Sequence, residues 1–171
     1  FGAYSSLVPY VNNYYVQAVI MFMIMAGGLG FMVWVEIGQW HKKHRLSLQA
    51  KVVLVFSVVL WVGGAVLLGL MEWNNPKTLG ALSVPDRIMA ALFQSVSTRT
   101  AGMNTVDLAA CGPISKLLMS VLQFIGAAPG STGGGVKVTT FAVLILTIRS
   151  VTQGRDDCVI DGHHIESKTV Y

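Results

Sequence analysis

Apolar residues come in long blocks separated by short polar stretches, a pattern that belongs to membrane-crossing helices rather than to half-buried strands. The first block covers residues 16–37, with Glu36 near its end. About 20 residues at 1.5 Å rise each cross a hydrocarbon core, so this block predicts one spanning helix. Gly27, Gly28 and Gly30 inside it suit close packing against a neighbouring helix. A basic stretch follows at 39–51, then a second spanning block at 52–71. Residues 72–87 hold Asn74, Asn75, Pro76 and Pro85 and read as a loop.

Beyond that loop the blocks shorten. Residues 88–96 are apolar and helix-compatible but only about half the length a span needs. They run into Ser97-Thr98-Arg99-Thr100-Ala101-Gly102-Met103-Asn104-Thr105, a polar stretch with one glycine. Two readings fit. One is a short helix that enters the membrane and turns back to the same side, which requires protein or a water-filled cavity around the turn. The other is an ordinary outer loop with one amphipathic turn. The last apolar region, 114–149, is too long for one straight span. Its helical pattern covers 114–125 and 138–148, and the five glycines and one proline between them, at 126–137, forbid a regular helix. Residues 151–171 turn polar.

The predicted fold is therefore all-α and transmembrane. It is a pore-loop hairpin of the M1–P–M2 type, with an outgoing helix, a re-entrant short helix, a polar turn and a broken returning helix. Residues 1–38 are the end of a preceding unit with its returning helix, 39–51 a linker, 52–150 the complete hairpin and 151–171 a trailing segment. The abrupt opening at Phe1-Gly2 and the polar end at Tyr171 predict a fragment.

Composition strengthens the membrane reading. Hydrophobic residues are 53% of the chain and charged residues 12%, where soluble domains carry roughly a quarter. The net charge of +4 raises nucleic acid as a partner, but the basic residues flank apolar blocks. That placement is membrane topology, with 39–51 in the cytoplasm and the mixed-charge stretch 72–87 outside. No nucleic-acid partner is expected. Cys111 and Cys158 then lie on opposite sides and form no framework. His41 and His44, and the pair His163 and His164, lack companion ligands at metal-binding spacing. Trp34, Trp40, Trp61 and Trp73 lie near span ends, as interfacial anchors do.

Two stretches carry candidate chemistry. A cation filter needs backbone carbonyls lining a narrow pore, and glycine permits the dihedrals that present them. Thr100, Ala101, Gly102, Met103 and Asn104 are placed for this, within a filter stretch at 98–105 behind a pore helix at 88–97. Arg99 either limits cation entry, braces the turn by hydrogen bonds, or is a solvated charge in an outer vestibule; bracing is favoured, because a charge in the path opposes a cation. Gly130, Ser131, Thr132, Gly133, Gly134, Gly135 and Lys137 look at first like a phosphate-binding loop. The match fails, because Val136 separates the last glycine from the lysine. A movable loop at 126–137 fits better, with Lys137 as a tether to a carboxylate or carbonyl.

Residues 95–105 resemble the third pore loop of the Trk/Ktr/HKT potassium transporters. Residues 129–137 resemble the intramembrane loop that follows it, and Gly27-Gly28-Leu29-Gly30-Phe31 resembles the glycine-rich stretch of the second repeat's returning helix. Such proteins carry four M1–P–M2 repeats around one pore. The resemblance implies potassium uptake at the cell inner membrane, with K+ held by the backbone of Thr100, Ala101 and Gly102 and the glycine-rich loop as gate. It also implies a homodimer in lipid, a cytoplasmic nucleotide-binding regulatory ring, and sodium coupling in the Ktr branch, which residues 129–141 and 159–170 resemble more closely. No organic cofactor and no enzymatic chemistry are implied. Met103 departs from the family's phenylalanine, and Phe1-Gly2 resembles the stub of a second filter. One filter strand cannot surround an ion. A membrane enzyme with a re-entrant active site finds no nucleophile–base or paired-carboxylate constellation. A non-conducting assembly subunit with degenerate pore loops is the remaining alternative.

Overall fold

The computed structural model describes residues 6–43, 45–152, 158–160 and 163–165. Among the described residues six α-helices carry the fold: α1 (Tyr14–Leu29), α2 (Phe31–Lys43), α3 (Leu48–Glu72), α4 (Val84–Thr98), α5 (Pro113–Phe124) and α6 (Val138–Thr152). Beyond α6, β1 (Cys158–Ile160) pairs antiparallel with β2 (His163–Ile165), Cys158 opposite Ile165. The histidine pair and Cys158 thus fall in or beside this short hairpin.

The central element is α3. At 25 residues, with a mean hydropathy of 2.6 in its most apolar window, it is long enough to cross a membrane alone. Ser47 starts it, its hydroxyl accepting from Ala50 N at 3.1 Å. Glu36 in turn takes up the backbone N–H and hydroxyl of Ser47 at 2.8 and 2.7 Å. Glu36 thus buttresses the helix start. One side of α3 leaves Val55, Val58, Val59, Val62 and Val66 exposed, a stripe that lipid covers without penalty and water does not. Its other side packs on α4, α5 and α6. The closest approach to α4 is at Gly64, where any added Cβ would overlap Ser95 Oγ. Ser95 donates across the contact to Trp61 O at 2.7 Å. Small residues and hydroxyls holding helices together is the usual grammar of packing in lipid.

Three boundaries differ from those the apolar blocks predict. The block at 16–37 is not one straight helix: it breaks at Gly30, and α1 meets α2 at 96°. Gly30 adopts φ +83, and its position leaves no room for a side chain, since a Cβ would stand 2.6 Å from Pro129 O. Hydropathy does not register a dihedral. The linker predicted at 39–51 is mostly helical, because α2 continues to Lys43 and α3 begins at Leu48. The short helix starts at Val84 rather than 88, with Pro85 in its first turn, where a missing N–H costs nothing. At 15 residues it is still shorter than a span. The last apolar region divides into α5 and α6, with irregular backbone between Phe124 and Val138.

Four small cores hold these parts. One joins the bent pair to α3 and the broken segment through Leu29, Val33, Val53, Ala128 and Val138. A second packs Met21 of α1 on Phe93 and Val96 of α4. Between them α4 is enclosed along most of its length.

Candidate functional site

The site lies where the C-terminal end of α4 meets the irregular segment 125–137. The end of α4 is unusually polar for its burial, with Gln94, Ser95 and Ser97 all at most 5% exposed. Each has work to do. Ser97 O accepts from both Ala101 N and Gly102 N at 3.1 Å, and Ser97 Oγ donates to Met103 O in a short bond. A single residue therefore folds the following turn back on the helix.

Within the turn, Thr100 and Gly102 both lie in the left-handed region, at φ +73 and +74. For glycine this costs little, but for a β-branched threonine it is a true outlier that only surrounding structure can maintain. Met103 O is taken by Ser97, and Asn104 O accepts from Leu7 N at 2.9 Å. Asn104 N donates to Ser6 Oγ at 3.1 Å, and its side-chain amide donates to Val106 O at 2.8 Å. The segment just before α1 is thus bonded directly to the outgoing limb of the turn. Among the described residues, no hydrogen bond uses the carbonyl oxygens of Thr100, Ala101 or Gly102. Three consecutive free carbonyls follow from this pattern. Thr100 and Gly102 are exposed.

Arg99 is 6% exposed, not a charge standing in an open vestibule. Its guanidinium donates to Gly126 O at 2.8 Å and lies 5.6 Å from the centre of the Trp61 ring, while its Nε has no partner. The residue before the turn therefore ties it to the start of the glycine-rich segment.

That segment folds over the turn. Gly133 is so close that a Cβ would stand 2.7 Å from Thr100 Oγ1 and 2.5 Å from Ala127 Cβ. Lys137 donates its ammonium to Gly133 O at 2.9 Å, four residues back within the same loop. A cavity of ≈ 230 Å³ remains between loop and turn, bordered by Gly28, Arg99, Thr100, Ala101, Thr132 and Gly133. A second, of ≈ 450 Å³, opens on the other side of the turn toward α5, bordered by Thr98, Thr100, Gly102, Lys116 and Gln123 among others. The turn stands between two spaces, one bordered by the loop and one toward α5.

Sequence reasoning missed one residue of consequence. Glu72, placed at the start of a loop by pattern alone, is 4% exposed and accepts four hydrogen bonds: from Asn75 and Thr78 at 2.7 Å, from Gly112 N at 2.8 Å and from Ser115 Oγ at 2.5 Å. The available signal was Gly112-Pro113, a helix start with no side chain able to cap it. Among the described residues no cluster of three or more His, Cys, Asp or Glu could hold a metal ion.

A family model described as TrkH, cation transport protein, matches residues 3–171. The Ktr system potassium uptake protein B of Vibrio alginolyticus is 41% identical over 143 residues, which are 82% of this chain and 31% of that protein. The potassium/sodium uptake protein NtpJ of Enterococcus hirae is 33% identical over 165 residues, 96% of this chain and 36% of that protein. The chain thus spans about a third of the length of these relatives. The potassium transporter TrkH from Vibrio parahaemolyticus superposes with a TM-score of 0.77 at 22% identity, over 99% of this chain and 37% of that one. That likeness bears on the fold.

Proposed function

Because the chain belongs to the TrkH family of cation transport proteins, we propose that it supplies one pore-loop section of a potassium uptake protein, with the ion passing over the carbonyls of Thr100, Ala101 and Gly102. The observation that carries this reading is the free state of those three oxygens, at a turn that two left-handed residues hold open. A potassium ion sheds its water only where oxygen dipoles replace it, and carbonyls already bonded to N–H groups do so poorly. Met103 and Asn104, whose carbonyls are occupied, are then the clamp of the filter rather than its lining. The C-terminal end of α4 turns its negative pole toward the same place.

The loop at 126–137 is the gate in this reading. It borders the space beside the turn, and its contact with Thr100 is made by glycine, the residue that can lie closest and leave most easily. Arg99 braces the filter on the loop's first residue, and Lys137 holds the loop's fold. The remaining filter strands come from other repeats of the full-length protein, which works as a homodimer in the lipid of the cell inner membrane. A cytoplasmic nucleotide-binding ring regulates it, and sodium is a candidate coupling ion. Transport of this kind makes and breaks no covalent bond.

The test is uptake of radiolabelled rubidium into proteoliposomes holding the full-length protein, with K+ and Na+ as competitors, wild type beside Gly102→Ser. Uptake competed by K+ and weakened in its K+ preference by the substitution is expected. At φ +74 the serine costs about 1–2 kcal/mol in backbone strain, enough to distort the strand although no atom lies within 4 Å of the new Cβ. No uptake at all would favour a non-conducting assembly subunit, and uptake indifferent to the substitution would mean that the ion does not pass over Gly102.

A further inference from the structure

We propose that Glu72 is a positioning residue for the filter, fixing the outward limb of the pore loop and with it the spacing of the free carbonyls; this rests on the functional reading above. The turn is anchored on its inner side by α4, through Ser97 and Arg99. From Met103 to Pro113 the chain has only one short 3₁₀ turn, Leu108–Ala110, and such a limb would drift without external support. Asn104 provides one tie. At the far end Lys116 donates to Ala109 O at 2.8 Å, and Glu72 provides a further tie.

Its two carboxylate oxygens join two stretches of chain to the end of α3. Asn75 and Thr78 belong to the outer loop after α3, and Asn75 also donates to Ala110 O at 3.1 Å. Gly112 N and Ser115 Oγ belong to the first turn of α5. Gly112 occupies the N-cap of α5 and has no side chain to offer. A carboxylate at a helix N-terminus satisfies orphan N–H groups and meets the positive end of the helix dipole. Here that carboxylate is lent by α3. The space around it is fitted: a Cβ on Gly112 would come within 3.3 Å of Glu72 Oε1. The outer end of α3, the outer loop and the start of α5 are therefore registered to one another through a single side chain, and the limb leaving the filter ends on that register. Glutamine in its place keeps the shape but turns one acceptor into a donor that faces donors.

The experiment compares rubidium uptake and its competition by K+ and Na+ for wild type, Glu72→Gln, Glu72→Asp and Ser115→Ala in the full-length protein. Thermal inactivation of each is measured alongside. A fall of about tenfold in K+ over Na+ preference is expected for Glu72→Gln, a smaller fall for Ser115→Ala, and partial recovery for Glu72→Asp, which keeps the charge. If Glu72→Gln fails to reach the membrane, Ser115→Ala, which removes one bond of four, carries the test by the same readout. Lower thermal stability with unchanged preference in every variant overturns the proposal, leaving Glu72 a support of the fold alone. A wild type indifferent to K+ overturns the functional reading and this proposal together, so the two failures are told apart.

Discussion

Replacing Gly133 by alanine tests the gate more sharply than removing the loop would. The added Cβ would stand 2.5 Å from Ala127 Cβ and 2.7 Å from Thr100 Oγ1, where carbon atoms ordinarily meet at about 3.5–4.0 Å. An overlap of this size must be relieved by movement. Ala127 cannot yield by rotating, because its Cβ is fixed to a backbone that bonds Gly134 O at 3.4 Å and Val138 N at 3.2 Å. Thr100 is held at an unusual dihedral by the filter turn. The stretch around Gly133 is the part free to shift, away from both Thr100 and Ala127. Overpacking of this kind costs about 1–3 kcal/mol. The share that falls on the Thr100 contact is confined to the closed arrangement, and at about 1–2 kcal/mol it shifts a closed-to-open equilibrium by about 5–30-fold. The adjacent Gly134→Ala is the control, since nothing lies within 4 Å of its Cβ. In proteoliposomes of the full-length protein without any cytoplasmic partner, Gly133→Ala should leak rubidium at a raised basal rate while Gly134→Ala stays near wild type. Equal basal rates for the two variants would refute the gate argument, because the steric difference between them is the whole of the reasoning.

Gly30→Ala meets both an unfavourable dihedral and Pro129 O at 2.6 Å, so a loss of about 2–4 kcal/mol is expected. It would be read as a lower midpoint of thermal inactivation in detergent; an unchanged midpoint would mean that the kink is not fixed by that contact. Burial, helped by the nearby Glu72 carboxylate, pushes the Cys111 thiol up to about 11. In a protein whose other cysteines are serine, its alkylation by a maleimide at pH 8 should run about a hundredfold slower than that of a free thiol. The rate should climb about tenfold per pH unit until pH approaches 11, and a rate already at its plateau by pH 9 would contradict the buried setting.

Much of the architecture was legible, for reasons that can be named. The length of α3 follows from an apolar block no other element could use, and the interruption between α5 and α6 from residues that cannot remain helical. The family resemblance carried by residues 95–105 and 129–137 agrees with the match over residues 3–171. What stayed hidden depends on tertiary partners. The kink at Gly30 lies in an apolar run whose hydropathy is continuous, and only the presence of Pro129 and Gly130 beside it explains why the helix ends there. Pro85 reads as a breaker from composition and acts as a starter from position. Glu72 has no local mark at all, because every group it binds lies on another turn or another segment. Thr100 to Asn104 are expected from sequence to act as one set. Which of their carbonyls are spoken for depends on Ser97 and on Leu7, the latter nearly a hundred positions away, and no periodicity reports that.

The kink and the loop are best understood as one device. Ending α1 at Leu29 releases helix carbonyls from their usual partners four residues on. Two of these, Gly27 O and Gly28 O, accept from Thr132 N at 3.3 Å and Ala128 N at 3.0 Å, while Gly130 O accepts from Phe31 N, the first residue of α2, at 3.1 Å. Several other loop amides bond within the segment or to the end of α5, Gly126 N to Val136 O, Ala127 N to Gly134 O and Val136 N to Phe124 O among them. Irregular backbone at membrane depth needs just such a settlement of its polar groups. A straight helix over 14–43 would satisfy itself and leave the loop with unpaired N–H groups, and a regular helix through 126–137 would leave the ends at Gly30 unpaired. Each irregularity supplies what the other lacks. Any swing of the loop off the bent pair therefore breaks three backbone bonds at once, a net cost of about 2–5 kcal/mol where water can replace them. If the loop is the proposed gate, that is small enough for it to open reversibly and large enough to favour the closed arrangement.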